Sequence, residues 1–218
     1  MKTENMHVKM GQGVGFERIR RITGYLVGTM DKWNDAKRAE ERDRVKPGML
    51  NLAGITEDSI VDGPGIRTTF YCQGCPHHCP GCHNPETWEF SGGTPMEESR
   101  LVEIVESNPL CHGVTFSGGE PFSQAVGFTK LAKLLKEKGY EVASYSGYTF
   151  EQLSGGTQAQ RDLLSQLDVL IDGPFVLAER SLELNFRGSR NQRILNVPES
   201  LKAGHAVEET SGRWLGTY

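Results

Sequence analysis

Three closely spaced cysteines offer the clearest chemistry in this sequence. Cys75, Cys79 and Cys82 form a CxxxCxxC pattern, which presents three thiols from one short loop. Two further cysteines lie outside it, Cys72 just before the pattern and Cys111 later in the chain. Secreted disulfide scaffolds spread their cysteines to staple distant loops, so a group this tight indicates metal or redox chemistry instead.

A zinc ion and an iron–sulfur cluster are the two centres that these thiols suit. A tetrahedral zinc site would add Cys72 to the pattern, or use His77, His78 or His83 as substitute ligands. Zinc modules usually separate their cysteine pairs by a dozen or more residues, whereas only three residues intervene here. A cubane cluster normally takes four cysteines, so three would leave one iron open to a substrate or cofactor. The spacing favours the cluster.

A second motif, Gly118-Gly119-Glu120, follows the predicted strand GVTFS, 36 residues after Cys82. Two glycines allow the backbone to approach a ligand closely, and a carboxylate suits an amino group. Alone, such a triplet is more often a strand-to-helix turn. Combined with the CxxxCxxC pattern, it is typical of radical S-adenosylmethionine (SAM) enzymes.

From residue 49 to about residue 197 the sequence resembles the activating proteins of anaerobic ribonucleoside-triphosphate reductase. These belong to the glycyl-radical activase branch of the radical SAM enzymes. The resemblance rests on the runs GITEDSIVDGPGIRTTFYCQGCPHHCPGCHNPETW, VTFSGGEPF, SYSGYTFE, DVLIDGPF and FRGSRNQRI. It implies an α/β fold, a partial (βα) barrel with the cluster loop after its first strand.

The same resemblance assigns roles to the site residues. It implies that Cys75, Cys79 and Cys82 bind a [4Fe–4S] cluster, whose open iron chelates SAM and cleaves it reductively. The implied contacts of SAM are Gly118, Gly119 and Glu120 at the methionine end, the backbone near Gly81 and His83 at the adenine, and Ser146 and Asp172 at the ribose or a cation. Cys72 and Cys111 are expected to be small buried residues.

The reaction implied by the resemblance ends on a glycine of a partner protein, which loses its Cα hydrogen. Asp62, Gly63 and Gly65, in the run DGPGIR, would grip the glycine loop, although alone this run is a good type II turn. The implied partners are the large subunit of anaerobic ribonucleoside-triphosphate reductase and, as electron donor, flavodoxin or ferredoxin. Pyruvate formate-lyase is the alternative partner, and a noncatalytic zinc-binding adaptor is the alternative from another class.

The elements that position these motifs alternate as α/β units after Pro47-Gly48. We predict strands at 67–72, 113–117, 141–145, 169–172 and 193–197, and helices at 96–107, 123–138 and 150–166. Ligands gather at the carboxyl ends of parallel strands, which is where the motif loops fall.

The net charge of the chain changes sign near Met49. Residues 1–48 hold 11 basic and 7 acidic side chains, a net of +4, while residues 49–218 hold 13 and 21, a net of −8. We therefore predict a helical or loop extension over 1–48, with a helix at about 31–45, and an activase domain over 49–218. No apolar run reaches the ~18 residues of a spanning helix, and no signal peptide is visible. We expect a cytoplasmic protein with neither membrane nor nucleic-acid partners.

The extension carries a motif of its own. The run RITGYLVGTMDKWNDAKRAEERDRVK resembles the carboxyl-terminal tail of the anaerobic reductase, whose radical motif reads approximately R-[VI]-x-G-Y, and Gly24 takes the radical position. Three explanations for this extension are open: joining of neighbouring genes, which we favour, a deliberate fusion, and a spare radical tail. We hypothesise that Gly24 can enter the activase site of its own or a neighbouring chain. A decayed activase that acts only through Gly24 is a further alternative.

Overall fold

The structure, a computed structural model, describes residues 49–216 of the 218-residue chain. The predicted domain 1–48, with its helix at 31–45 and Gly24, lies outside the described residues.

Within the described residues, seven strands form one mixed sheet in the order β3-β1-β2-β4-β5-β6-β7. The strands are β1 (Met49–Ser59), β2 (Arg67–Cys72), β3 (Thr94–Glu97), β4 (Gly113–Gly118), β5 (Glu141–Tyr145), β6 (Val169–Asp172) and β7 (Arg193–Asn196). Strands β2, β4, β5 and β6 run parallel, and β1, β3 and β7 are antiparallel to their neighbours. The α/β class is confirmed, and the sheet is open because its edge strands β3 and β7 do not pair.

All five strands predicted from the sequence are confirmed to within one residue at either end. Strands β1 and β3 are not among the predicted ones. In β1 only Leu50, Leu52 and Ser59 are buried, and its later half is mostly polar and exposed, so it lacks the continuous apolar run of a central strand. The short β3 has no buried residue and borders β1 at the edge of the sheet.

Six α-helices connect or follow these strands within residues 49–216. They are α1 (Glu98–Ser107), α2 (Ala125–Glu137), α3 (Phe150–Ser154), α4 (Gln158–Leu164), α5 (Val197–Ala203) and α6 (Gly212–Leu215). The single helix predicted at 150–166 is wrong, because Gly155-Gly156 ends α3 and Thr157 caps a new helix with its side chain. No helix in this part of the chain is long and apolar enough to cross a membrane.

The two faces of the sheet differ. One face packs against the helices in the main core, where the rings of Phe116 and Phe128 lie 4.6 Å apart. Alternate strand residues point to the other face, which we call the inner face, where Ala143 and Ile171 pack in a smaller cluster with Trp214. Polar side chains share this inner face and line the site described next.

Candidate functional site

A cavity of about 440 Å³ opens at the carboxyl edge of the parallel strands. We call it the site cavity, and we call residues 73–84, which follow β2, the cluster loop. The cluster loop contributes Cys75, His77, Cys79, Cys82 and His83 to the wall. The strand ends contribute Ser117, Gly118, Gly119, Tyr145, Ser146, Gly147 and Gly173. The structure thus brings the two main sequence motifs to one space.

Backbone hydrogen bonds fix the cluster loop on the turn that follows it. The N–H of Gly74 donates to the carbonyl of Thr87 at 2.8 Å, and the N–H of Cys75 donates to that of Trp88 at 3.0 Å. The side-chain amide of Gln73 donates to two further carbonyls of the same turn. These bonds place the first cysteine without using its thiol.

The three thiols fit an iron–sulfur cluster better than a single metal ion. Cys75 is buried, Cys79 and Cys82 are half-buried, and none of them forms a disulfide. Across residues 49–216, no three His, Cys, Asp or Glu side chains are grouped so that they could hold one metal ion. A zinc ion draws four ligands to about 2.0–2.3 Å, whereas a cubane cluster binds thiolates at separate corners. Three thiols that share one cavity wall suit the cluster.

Cys72 and Cys111 both stand apart from the site cavity. Cys72 has no exposed surface at the end of β2, and burial raises the pKa of its thiol well above the ordinary range. The Cys111 thiol donates to the carbonyl of Gly113 at 3.2 Å inside the core. A four-cysteine zinc site that includes Cys72 is therefore not assembled. Burial also raises the pKa of Cys75 to about 11, so this thiol needs a neighbouring positive charge, such as iron, to ionise near neutral pH.

The two glycines of the second motif are required by close packing between loops. Gly118 has a φ of +87°, and a Cβ on Gly119 would lie 2.4 Å from the carbonyl oxygen of Gly74. The N–H of Gly119 donates to the carbonyl of Cys72 at 2.9 Å, and that of Glu120 donates to the carbonyl of Gly74 at 2.9 Å. The motif therefore lies directly against the start of the cluster loop.

Glu120 does not line the site cavity, although the sequence predicts that its side chain holds SAM. The residue is fully buried, and its carboxylate accepts hydrogen bonds from within the protein. The donors are Phe122 N, Ser146 Oγ, Gly147 N and His77 Nε2. The carboxylate thus bonds to protein groups behind the cavity wall and does not face the cavity.

Of the other predicted SAM contacts, some line the cavity and others lie behind its wall. Ser146 and His83 line the cavity, and the ring of His83 lies 5.3 Å from that of Phe175, also on the wall. Gly81, with a φ of +74°, packs against Leu177 and is not on the wall.

Asp172 also lies off the wall and is held in an internal ion pair. It is 1% exposed, and its carboxylate accepts hydrogen bonds from the Nε of Arg193 at 2.9 Å and from the N–H of Phe150 at 2.7 Å. The hydrogen bonds that Arg193 donates to Asp172 and Glu151 raise the pKa of its guanidinium. This pair connects the end of β6 and the start of β7 to the start of α3.

The predicted glycine-gripping residues Asp62, Gly63 and Gly65 lie in the loop 60–66 between β1 and β2, which borders the cavity on another side. Asp62 lines the cavity, and its Oδ2 accepts hydrogen bonds from Thr69 at 3.0 Å and Tyr71 at 3.2 Å. Gly63 and Gly65 line a neighbouring hollow of about 450 Å³. Phe186 lines both spaces, so the two hollows adjoin.

Arg187 and His77 also line the cavity, although neither is among the SAM contacts predicted from the sequence. The Nε of Arg187 is buried without a hydrogen-bond partner, and its Nη1 donates to the carbonyl of Gln192 at 3.3 Å. Its guanidinium is the only Lys or Arg side chain among the described residues that line the cavity. Its position in FRGSRNQRI, one of the matching runs, is the signal that could have indicated it.

Comparison with known families agrees with this geometry. Residues 61–195 match the family of 4Fe-4S single cluster domains. The matched segment includes the cluster loop, the two-glycine motif and every strand end that borders the cavity. Fold, thiol pattern and family together define an iron–sulfur protein of the radical SAM class.

Individual relatives indicate which kind of radical SAM protein this chain is similar to. The chain is 33% identical over 143 residues to the anaerobic ribonucleoside-triphosphate reductase-activating protein of Escherichia coli K12, an alignment covering 62% of this chain and 91% of the relative. The corresponding protein of Vibrio cholerae is 34% identical over 143 residues, covering 62% and 90%. The pyruvate formate-lyase-activating enzyme of Clostridium pasteurianum is 39% identical over 108 residues, covering 47% and 45%.

The chain belongs to the family of anaerobic ribonucleoside-triphosphate reductase-activating proteins. It is therefore a radical SAM enzyme of the glycyl-radical activase type, with an iron–sulfur cofactor.

Proposed function

We propose that this enzyme cleaves SAM reductively and removes a Cα hydrogen from a glycine of anaerobic ribonucleoside-triphosphate reductase. The observation that carries the proposal is the meeting of three unpaired thiols and a two-glycine loop in one cavity. One electron, SAM and the glycine would yield methionine, 5′-deoxyadenosine and a glycyl radical on the partner. Flavodoxin or ferredoxin would supply the electron.

Cys75, Cys79 and Cys82 would hold the [4Fe–4S] cluster at the cavity wall. When bound, the cluster supplies the electron that splits the sulfonium of SAM. The protein residues then have the tasks of binding and orienting SAM and of excluding water. The absence of a fourth cysteine from the described lining supports an iron left open for SAM.

The remaining wall residues match the chemistry of SAM group by group. The backbone of Gly118 and Gly119 would approach the methionine end, because neither residue has a side chain to block it. Arg187, the only Lys or Arg side chain on the described wall, would bind the carboxylate. The aromatic wall of His83 and Phe175 would face the adenine, and Ser146 is placed for a hydroxyl contact.

The target glycine would enter past the loop 60–66. Ile60 and Val61 are each 70% exposed there, so an incoming peptide could cover apolar surface. Asp62, Gly63 and Gly65 would offer a carboxylate and open backbone to an extended segment. The adjoining hollow beneath Gly63 and Gly65 provides room for residues on one side of the glycine.

We further infer that the open sheet corresponds to a partial (βα) barrel of the radical SAM type. The parallel strands β2, β4, β5 and β6 lie side by side in the order in which they occur in the chain, which supports this. We also keep the division into an extension, 1–48, and an activase domain, 49–218.

Two partners compete for the proposed activity. The anaerobic reductase is favoured because the alignment covers about nine-tenths of its activating proteins, against 45% of the pyruvate formate-lyase activator. The test adds each purified partner, in turn, to the reduced, iron-reconstituted Gly24→Ala protein with SAM, so that no radical on Gly24 contributes, and records the electron paramagnetic resonance (EPR) spectrum. A glycyl doublet on the reductase alone is expected. A doublet on pyruvate formate-lyase alone would assign the other partner, and colourless protein holding one zinc would support the adaptor.

Gly24 is proposed as a second target within the same chain. Gly24 precedes Met49 by 25 residues, and an extended chain spans about 3.3 Å per residue. Met49 begins β1 beside Leu52, which pairs with Cys72 at the carboxyl edge of β2, so the chain enters the sheet beside the cluster loop. The opposite net charges of 1–48 and 49–218 favour association, at a strength that salt would reduce. Wild type without partner should give a glycyl doublet that Gly24→Ala lacks; identical spectra without a doublet would contradict it.

A further inference from the structure

Glu120 ties three separate segments of the site together through one buried carboxylate. Its Oε1 accepts from the N–H of Phe122 at 3.0 Å and from Ser146 Oγ at 3.0 Å. Its Oε2 accepts from the N–H of Gly147 at 2.9 Å and from His77 Nε2 at 2.8 Å. The donors thus come from the 3-10 turn Pro121–Gln124 before α2, the loop after β5 and the cluster loop.

These bonds use the full accepting capacity of the carboxylate. An ionised carboxylate offers about four lone-pair sites, two on each oxygen. Four donors surround the two oxygens of Glu120, with Ser146 Oγ within reach of both, and the side chain has no exposed surface. A ligand's ammonium group would have to displace a protein donor, which would leave that donor buried and unpaired.

His77 is the link from Glu120 to the cysteines. It lies midway between Cys75 and Cys79, and its side chain is 17% exposed. Its ring fits a narrow slot, because a Cβ on Gly147 would lie 2.4 Å from the ring and Tyr148 packs edge-on at 4.4 Å. Since a carboxylate only accepts, the ring nitrogen that faces Glu120 carries the proton.

We propose that Glu120 is a positioning residue, which holds the cluster loop in shape through His77, and that it is not a ligand of SAM. The inference rests on the proposed function, because it assumes that the cluster loop binds the cluster. It assigns His77 a role as the clamp that sets the distance between the first two thiols. Gly147 is then required to be glycine because the clamp occupies the place of its side chain.

The test compares variants of His77 that keep or remove the donor. His77→Gln can still donate from its amide, whereas His77→Leu fills similar space without a donor. His78→Asn is the matched control, because His78 lies in the same loop with a φ of +48°, which Asn tolerates, and packs on Trp88. Each reconstituted protein is challenged anaerobically with a chelator, and iron loss, the EPR signature of the reduced cluster and SAM binding per intact cluster are recorded.

The clamp predicts a specific ranking of iron loss. His77→Leu should lose iron about tenfold faster or more, with a changed EPR signature, since a hydrogen bond to a charged group contributes a factor of this size. His77→Gln should recover most of the difference, and His78→Asn should behave as wild type. Iron retention in His77→Leu equal to wild type would overturn the proposal.

Glu120→Gln separates positioning from direct binding of SAM. If Glu120 is a positioning residue, Glu120→Gln should lose iron as fast as His77→Leu, and the double variant should lose iron no faster than either single variant. The SAM affinity of Glu120→Gln per intact cluster should stay within about threefold of wild type. A Glu120→Gln protein that keeps its cluster as wild type does but loses SAM binding would overturn the inference. Wild-type protein with a full cluster that binds no SAM would instead contradict the proposed function. If Glu120→Gln does not fold, the His77 series alone decides.

Discussion

Arg67 lies beneath the indole of Trp214, with its Cζ 5.4 Å from the ring centroid, and both side chains are almost excluded from solvent. The guanidinium donates to Thr115 Oγ1 at 2.8 Å and to Glu141 Oε1 at 2.7 Å. Burial lowers the pKa of Arg67, while the Glu141 carboxylate opposes that shift. The pair closes the inner face of the sheet at the end opposite to the cysteines.

Removing the indole should therefore destabilise the fold. Trp214→Ala would open a cavity beside Ile171 and uncover a buried cation, and an aromatic truncation in a core costs about 3–5 kcal/mol. We expect a clearly lower unfolding midpoint in urea, and a smaller decrease for Trp214→Phe, which keeps an aromatic ring over Arg67. A midpoint for Trp214→Ala within the error of wild type would show that this end of the sheet is held by other contacts.

Adding one methyl group at Gly119 should damage the site. The new Cβ would lie 2.4 Å from the carbonyl oxygen of Gly74, so the two loops must separate. We expect Gly119→Ala to weaken SAM binding by about 5- to 150-fold, as overpacking of about 1–3 kcal/mol implies, and to lower iron content. Gly54→Ala in β1 is the control, because nothing lies within 4 Å of its added Cβ. Equal SAM affinity in the two variants would contradict the close approach.

The role of Arg187 can be tested against a neighbouring arginine. Arg187→Gln removes the cavity's guanidinium, and the loss of a charge-assisted bond to a carboxylate should weaken SAM binding by about 10–100-fold. Arg190→Gln, in the same loop but with a largely exposed side chain, should leave SAM affinity unchanged. Equilibrium dialysis with labelled SAM on protein of known iron content provides the measurement. Unchanged affinity in Arg187→Gln would remove this residue from the SAM site.

The cysteines should separate into two groups by iron content. Cys79→Ala should lose the iron–sulfur absorbance, because two remaining thiols cannot hold the cluster at the wall. Cys111→Ala removes a thiol from the core and should retain full iron and sulfide after anaerobic reconstitution. Full iron content in Cys79→Ala, or its loss in Cys111→Ala, would contradict the assignment of the ligands.

Local patterns in the sequence were sufficient for the parts of the site that a single loop encodes. The spacing of Cys75, Cys79 and Cys82 identified the cluster loop because all three ligands lie within eight residues. The central strands were predictable for a related reason, since strands such as β6 are buried along their whole length and so read as apolar runs.

Contacts between residues far apart in the sequence could not be predicted from it. The partners of Glu120 include His77, 43 residues before it, and Ser146, 26 residues after it. The sequence therefore did not show that the carboxylate has hydrogen-bond donors within the protein. The fold shows that Arg187 is the only Lys or Arg side chain on the described cavity wall, which its place in the sequence does not reveal. Trp214 carried no readable signal, since its burial depends on a cluster on the inner face that β5, β6 and β7 build together.

Hydrogen transfer from glycine to SAM tests the central claim most directly. The reduced, reconstituted Gly24→Ala protein would be incubated with SAM and a reductase large subunit whose glycines carry deuterium at Cα, and the 5′-deoxyadenosine would be analysed by mass spectrometry. The account predicts 5′-deoxyadenosine with one added deuterium, together with a glycyl radical signal on the reductase whose doublet has collapsed to a singlet, because the hydrogen left on Cα is deuterium. Fully loaded, reduced protein that forms no 5′-deoxyadenosine, or only the unlabelled product, would contradict it.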